Sequence, residues 1–168
     1  AGGEHQTLAR GWAYSPPMRF SGADYIDAAS ERITAARDLY VAHRYVDVLD
    51  LAGVAVECVL RAFALERTNE FDARHDLPSL MQVAALNQVM GSKAREDIAV
   101  ALGEVWARWR NNYRYASDRR IRSDLKRRKL DRGIKGDALK ENARIALEYA
   151  LAIVNKGRFQ WNKSFAKH

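Results

Sequence analysis

The chain has 168 residues, of which 48% are hydrophobic and 29% are charged, and it carries a net charge of +7. This length suits one folded domain with its own core, and no segment has the composition of a disordered chain. The single cysteine, Cys58, excludes an intramolecular disulfide and a four-cysteine zinc site. Because no stretch could span a bilayer and no signal-peptide pattern is visible, we expect a cytoplasmic protein without membrane contact.

Residues 1–22 show no helical periodicity and contain Trp12, Tyr14, Met18 and Phe20, so we expect an N-terminal arm packed against the body. Apolar residues then recur every three or four positions, which predicts helices over 24–42, 46–64, 93–115 and 137–155. A shorter helix is expected after Asp76, which can cap it, with Pro78 in its first turn. Five helices with short connections predict an all-α antiparallel bundle over residues 23–157, followed by a tail at 158–168.

Most of the net charge lies in one segment. Between residues 119 and 132, eight basic residues and two acidic residues give a local balance of +6. The basic ones are Arg119, Arg120, Arg122, Lys126, Arg127, Arg128, Lys129 and Arg132. Such a cluster is typical of a surface that binds a polyanion. It is equally typical of a solvated connection between helices, and we expect such a basic connection over residues 118–136.

The second predicted helix contains two charged residues at helical spacing. Glu57 and Arg61 are four positions apart, with the acid nearer the N-terminus, which favours an ion pair. Since the helix is the most apolar one, we expect this pair to be partly buried and to tie the helix to Arg110 or Arg114. Gly53 in the same helix predicts a close helix crossing, because glycine is otherwise unfavourable there.

The end of the fourth predicted helix combines arginines with tyrosines. Trp106 shares a face with Leu102 and Val105 and is predicted to be core. Tyrosines beside arginines can stack bases and bind phosphates, and they can also seal a dimer contact. The candidate nucleic-acid or partner contacts are Arg108, Arg110, Tyr113, Arg114, Tyr115, Arg119, Arg120, Arg127 and Arg128.

Three pieces of the chain, in order, resemble the HEPN domain family. The first is Leu51 to Phe63, in which a small residue is followed by Glu57 and then by Arg61. The second is His75-Asp76-Leu77 followed by Leu80, and the third runs from Trp106 through Asn111-Asn112-Tyr113-Arg114-Tyr115 to Ala116. The resemblance covers roughly residues 28–116 and implies a helical bundle with Glu57, Arg61 and His75 in structural or supporting roles.

Many HEPN proteins are metal-independent ribonucleases, with an arginine, a polar residue and a histidine on the helix that corresponds to residues 93–115. Arginines and asparagines occupy that region here, but the four histidines are His5, His43, His75 and His168, none of them in this helix. No catalytic residue is therefore assigned. No metal-ligand spacing and no glycine-rich phosphate loop is visible, so we expect no metal and no cofactor.

The resemblance implies a nucleic-acid- or partner-binding domain of a bacterial toxin–antitoxin or defence-type system. It also implies a homodimer, formed through the fourth helix, with a groove lined by Arg110, Tyr113, Arg114 and Tyr115. RNA and a nucleotidyltransferase-type protein are the expected partners. One alternative is a ribonuclease that uses Arg110 and Arg114 with Tyr113 or Tyr115, assisted by Glu57. Another is a protein-interaction scaffold with no nucleic-acid role.

Overall fold

A computed structural model of the protein describes residues 18–165. The predicted arm therefore lies almost wholly outside the described residues, as do the last three residues of the predicted tail. Residues 18–165 form six α-helices and no strand, which confirms the predicted all-α bundle. The helices are α1 (Gly22–Val41), α2 (Tyr45–Thr68), α3 (Leu77–Ala84), α4 (Ser92–Arg108), α5 (Asp118–Arg127) and α6 (Ala138–Ser164). Short 3-10 helices at Leu86–Val89 and Asn111–Tyr115 flank α4.

Helix α2 lies at the centre of the bundle. It packs against α1, α3 and α6, and buried residues occur on every side of it, as expected for the most apolar helix. Only three residues join α1 to α2, so these two helices run antiparallel. None of the helices in the described part of the chain is long and apolar enough to cross a membrane.

Side-chain caps fix where several helices begin. Ser21 and Asp24 form a reciprocal capping box at the start of α1. The carboxylate of Asp76 accepts a hydrogen bond from the Ser79 backbone N–H at 2.9 Å, as predicted for α3. Asp137 accepts hydrogen bonds from the backbone N–H groups of Leu139 and Lys140 and so starts α6. Each of these caps pairs donors that would otherwise lack a partner in the first helical turn.

The predicted helix over 93–115 is too long. Helix α4 ends at Arg108, and the backbone of Trp109 is extended, with ψ of 144°. The indole of Trp109 is fully buried against Gly53, where an added Cβ would lie 2.1 Å from the ring. The missing Cβ of Gly53 therefore makes room for the Trp109 side chain. The prediction that Gly53 marks a close helix crossing was wrong. Trp106, predicted to be core, is only half-buried beside Trp109, with ring centroids 6.3 Å apart.

The segment 118–136, predicted to be a basic connection, contains helix α5. Ser117 caps this helix, and its Oγ accepts a hydrogen bond from the backbone N–H of Arg120. Ile121 and Leu125, one helical turn apart, are buried and attach α5 to the bundle. The sequence interpretation missed the helix because two apolar residues among five basic ones give a weak periodic signal.

The predicted C-terminal tail from residue 158 is also helical through Ser164, because α6 does not end near residue 155. Gly157 allows this continuation by lying directly against Val59 of α2, where an added Cβ would approach the valine methyl to 2.4 Å. Trp161 then packs edge-on against Phe63, with ring centroids 5.5 Å apart. The glycine therefore serves helix packing and does not end the helix.

Candidate functional site

A cleft of about 370 Å³ lies between the Asn111–Tyr115 helix and α5. The break after Arg108 creates it, because the chain leaves the α4 axis there and returns along α5. The residues that line it are Arg110, Asn112, Tyr113, Tyr115, Ala116, Arg120, Ile121, Asp124 and Arg127. Three arginines and one aspartate give this lining a net positive charge.

The three arginines that line the cleft differ in their hydrogen bonds and ion pairs. One Nη of Arg110 donates to the carbonyls of Trp106 and Trp109, at 2.8 and 2.9 Å, and so caps the end of α4. Burial and the nearby Arg128 charge lower the pKa of Arg110, as expected in a positive environment. Within residues 18–165, the guanidinium of Arg120 has no ion pair, whereas Arg127 pairs with Asp124 at 2.5 Å.

A buried hydrogen-bond network forms the floor of the cleft. The hydroxyl of Tyr113 donates to Asp124 Oδ2 at 2.5 Å and accepts from Arg128 Nη2 at 2.5 Å. Burial, reinforced by the bond to Asp124, raises the pKa of Tyr113 to about 12, so this side chain stays protonated. Arg128 also donates to Asp124 and to the carbonyl of Ala107. This network fixes α5 against the end of α4.

The side chains of Tyr115 and Asn112, at the mouth of the cleft, are exposed. Tyr115 is 84% exposed, which makes it the most accessible large hydrophobic residue in the described part of the chain. Asn112 is exposed as well and carries both a donor and an acceptor on its amide. An accessible aromatic ring beside an exposed amide and an exposed arginine can stack a planar group and hydrogen-bond its edge.

The cleft contains Arg110, Tyr113, Tyr115, Arg120 and Arg127, which is five of the nine predicted contact residues. The other four lie elsewhere. Arg108 is nearly buried and pairs with Glu104, and Arg128 belongs to the floor network. Arg114 bonds to Asn111 and lies 3.9 Å from Asp50 of α2. Arg119 is exposed on α5, outside the lining of the cleft.

The predicted supporting residues form a separate cluster. Glu57 and Arg61 are both more than 90% buried, and Arg61 Nε donates to Glu57 Oε1 at 2.8 Å, so the expected buried pair is present. The partners expected for it, Arg110 and Arg114, are not there. Instead His75 Nδ1 lies 2.9 Å from Glu57 Oε1, and Arg61 donates to the carbonyl of Arg74 at 2.8 Å. The pair therefore ties α2 to the chain segment that precedes α3.

The residues expected to act together in a ribonuclease do not all lie in the cleft. Arg110, Tyr113 and Tyr115 line the cleft, whereas Glu57 and Arg114 are engaged elsewhere. Among the described residues, those that line the cleft include no histidine. Within the same range, no group of three histidine, cysteine or acidic residues could hold a metal ion.

Asn112 and Asp124 are site residues that the sequence interpretation did not select. Asp124 carries a signal that could have revealed it, because Arg127 and Arg128 follow it at helical spacings of three and four. Recognising that signal required α5 to be identified as a helix. Asn112 carries no comparable signal, since its position depends on the break after Arg108.

Comparison with known families agrees with this architecture. The HEPN domain family model matches residues 23–160, from the first turn of α1 almost to the end of α6. No curated protein and no solved structure matches the chain significantly. The family match covers most of the chain and all six helices. The protein therefore belongs to the HEPN domain family of nucleotide-binding or nuclease-type helical domains.

Proposed function

We propose that this HEPN domain binds RNA through the cleft between the Asn111–Tyr115 helix and α5. The observation that supports the proposal is the convergence of Arg110, Arg120 and Arg127 with the exposed Tyr115 around one opening. Arginine guanidinium groups bind phosphate through paired hydrogen bonds, and aromatic rings stack on bases without regard to sequence. An RNA ligand would use both features at once.

The residues outside the cleft extend this surface. Arg119, Lys126 and Lys129 are exposed on α5 or immediately after it, and no ion partner pairs with them among residues 18–165. Since phosphate contacts contribute most of the sequence-independent affinity, these residues would add affinity along the strand without specifying bases. Five of the eight basic residues of the segment lie on α5, next to the cleft, which supports the proposal.

Binding of a labelled oligouridylate, measured by fluorescence anisotropy, tests the proposal. Removing the Tyr115 ring with Tyr115→Ala should weaken binding by about 1–2 kcal/mol, or roughly tenfold, because a stacked base is lost. Arg120→Ala should weaken it and reduce its salt dependence by about 0.7 in log–log slope. Arg37→Ala is the matched control, since Arg37 is exposed on α1, away from the cleft. Equal effects of Arg37→Ala and Arg120→Ala would contradict the proposal.

The proposal includes the partners implied by the family resemblance: a homodimer, and a nucleotidyltransferase-type protein in a bacterial toxin–antitoxin or defence-type system. The outer face of α4 presents the small or apolar residues Ala99, Val100 and Gly103, all exposed, to a second copy. Val100→Glu should convert a dimer to a monomer in size-exclusion chromatography with light scattering. A wild-type monomer at all concentrations would rule out pairing through this face.

A further inference from the structure

Asp124 is an acidic residue in the wall of a positively charged cleft. Among the described residues that line the cleft, it is the only one with a negative side chain. A carboxylate in this position repels a phosphate group and occupies arginine donors that the phosphate would use. Its two oxygens, however, are held by quite different partners.

The Oδ2 oxygen is anchored. It accepts hydrogen bonds from the Tyr113 hydroxyl and from Arg128 Nε, at 2.5 and 2.8 Å. Tyr113 is 5% exposed and the Arg128 side chain is 18% exposed, so both donors are largely covered and remain bonded to Asp124. This half of the carboxylate therefore belongs to the floor of the cleft and keeps Asp124 in place.

The Oδ1 oxygen makes a contact that can be exchanged. It accepts from Arg127 Nη2 at 2.5 Å, but the Arg127 side chain is 77% exposed. An ion pair at this helical spacing is weak when one partner is this exposed, because water competes for the guanidinium and the long side chain loses freedom in the pair. Arg127 can therefore leave Asp124 for a phosphate, which offers two acceptor oxygens to the same guanidinium.

The other two arginines of the cleft need no such exchange. The contacts of Arg110 are backbone carbonyls at the end of α4, and Arg120 has no ion partner in residues 18–165. Of the three, only Arg127 must give up a carboxylate before it can bind an anion. The strength of binding at this cleft then depends on how firmly Asp124 holds Arg127.

We propose that Asp124 is an internal competitor of the ligand's phosphate groups, holding Arg127 in the free protein and losing it to a phosphate on binding. The proposal rests on the proposed function and says what limits the affinity of the same cleft. Asp124 acts through Arg127 and is thus a positioning residue that weakens binding and makes it readily reversible. The competition also requires the ligand to carry a negative charge, since a neutral group cannot displace Asp124 from Arg127.

The substitution Asp124→Asn tests the proposal, because the amide oxygen can still accept from Tyr113 while the charge is lost. Binding of a labelled oligouridylate should become about fivefold tighter, chiefly because Arg127 is freed and only in small part because the carboxylate no longer repels phosphate. Asp118→Asn is the matched control. It changes the net charge equally on the same helix, but Asp118 pairs with Arg122 outside the cleft lining, so the gain should stay below about twofold.

A second comparison separates exchange from a general charge effect. In an Arg127→Ala background, Asp124→Asn should tighten binding by less than about twofold, since the arginine to be released is absent. An undiminished fivefold gain there would overturn the proposal. So would unchanged or weaker binding by Asp124→Asn while the wild-type protein binds normally. If the wild-type protein and Asp124→Asn both fail to bind, the proposed function itself fails, and this proposal fails with it.

A measurement on the wild-type protein keeps the proposal falsifiable if Asp124→Asn does not fold. Arginine side-chain NMR can follow the Nε–H signals of Arg127 and Arg128 during addition of the unlabelled oligouridylate. The Arg127 signal should shift with saturating ligand, because its partner changes, and the Arg128 signal should stay nearly constant. An Arg127 signal unaffected by a bound oligonucleotide would contradict the exchange.

Discussion

The contact between Gly53 and Trp109 predicts how a substitution at Gly53 changes the free energy of unfolding, and a second helical glycine provides the control. The substitution Gly53→Ala would place a Cβ 2.1 Å from Cγ of a fully buried indole, so the ring or the helix must shift. Overpacking of a core costs about 1–3 kcal/mol, while alanine gains up to about 1 kcal/mol over glycine in a helix. We therefore expect a net loss of about 1–2 kcal/mol in the free energy of unfolding.

The control is Gly103→Ala on α4. Because Gly103 lies on the face proposed for a second copy, both variants are compared in the Val100→Glu background. No atom of the described residues lies within 4 Å of a Cβ added at Gly103, so only the helix propensity changes there and the protein should gain up to about 1 kcal/mol. Urea denaturation followed by circular dichroism measures both variants, and equal m-values keep the comparison valid. A Gly53→Ala protein as stable as Gly103→Ala would refute the packing of Trp109 and, with it, the origin of the cleft.

Three further predictions concern the buried polar groups. Tyr113→Phe should cost about 1–2 kcal/mol in urea denaturation, because Asp124 and the partly buried Arg128 lose a partner, whereas Tyr115→Phe should change stability by less than about 0.5 kcal/mol. Arg61→Ala should cost about 3 kcal/mol in the same assay by leaving Glu57 buried without its main partner, and a loss below about 1 kcal/mol would contradict the buried pair. Burial opposes the ionisation of Asp124, but its hydrogen bonds and neighbouring arginines outweigh burial and lower its pKa from 3.8 to about 2. Its contribution to stability should therefore be present above about pH 4 and be lost as the pH falls towards 2, so thermal unfolding of wild type and Asp124→Asn should converge in that window.

The fold was predictable wherever apolar periodicity was dense. Helices α1, α2 and α3 begin within two residues of the predicted positions, because caps such as Asp76 and helical spacing both have local sequence signals. The ends of α4 and α6 were not predictable in this way. They depend on where Trp109 and Trp161 are buried, which is a property of the neighbouring helices and not of the local sequence.

The candidate site was predictable in composition but not in arrangement. The sequence indicates that arginines and tyrosines at 108–115 and a basic segment near 119–132 are close in the chain. It does not reveal that Tyr113 is buried and bonded while Tyr115 is exposed, since this difference arises from the 3-10 geometry after the break in α4. Nor does it separate Arg120, which has no ion partner among residues 18–165, from Arg128, which holds the floor of the cleft.

The salt dependence of RNA binding tests the central claim most directly. Affinity for the oligouridylate is measured across a range of salt concentrations for the wild-type protein and for the double variant Arg120→Ala/Arg127→Ala. We predict that the slope of log affinity against log salt falls by about 1.4, since two phosphate contacts to a single strand are removed. An unchanged slope, or binding that does not respond to salt in the wild-type protein, would contradict an RNA-binding role for this cleft.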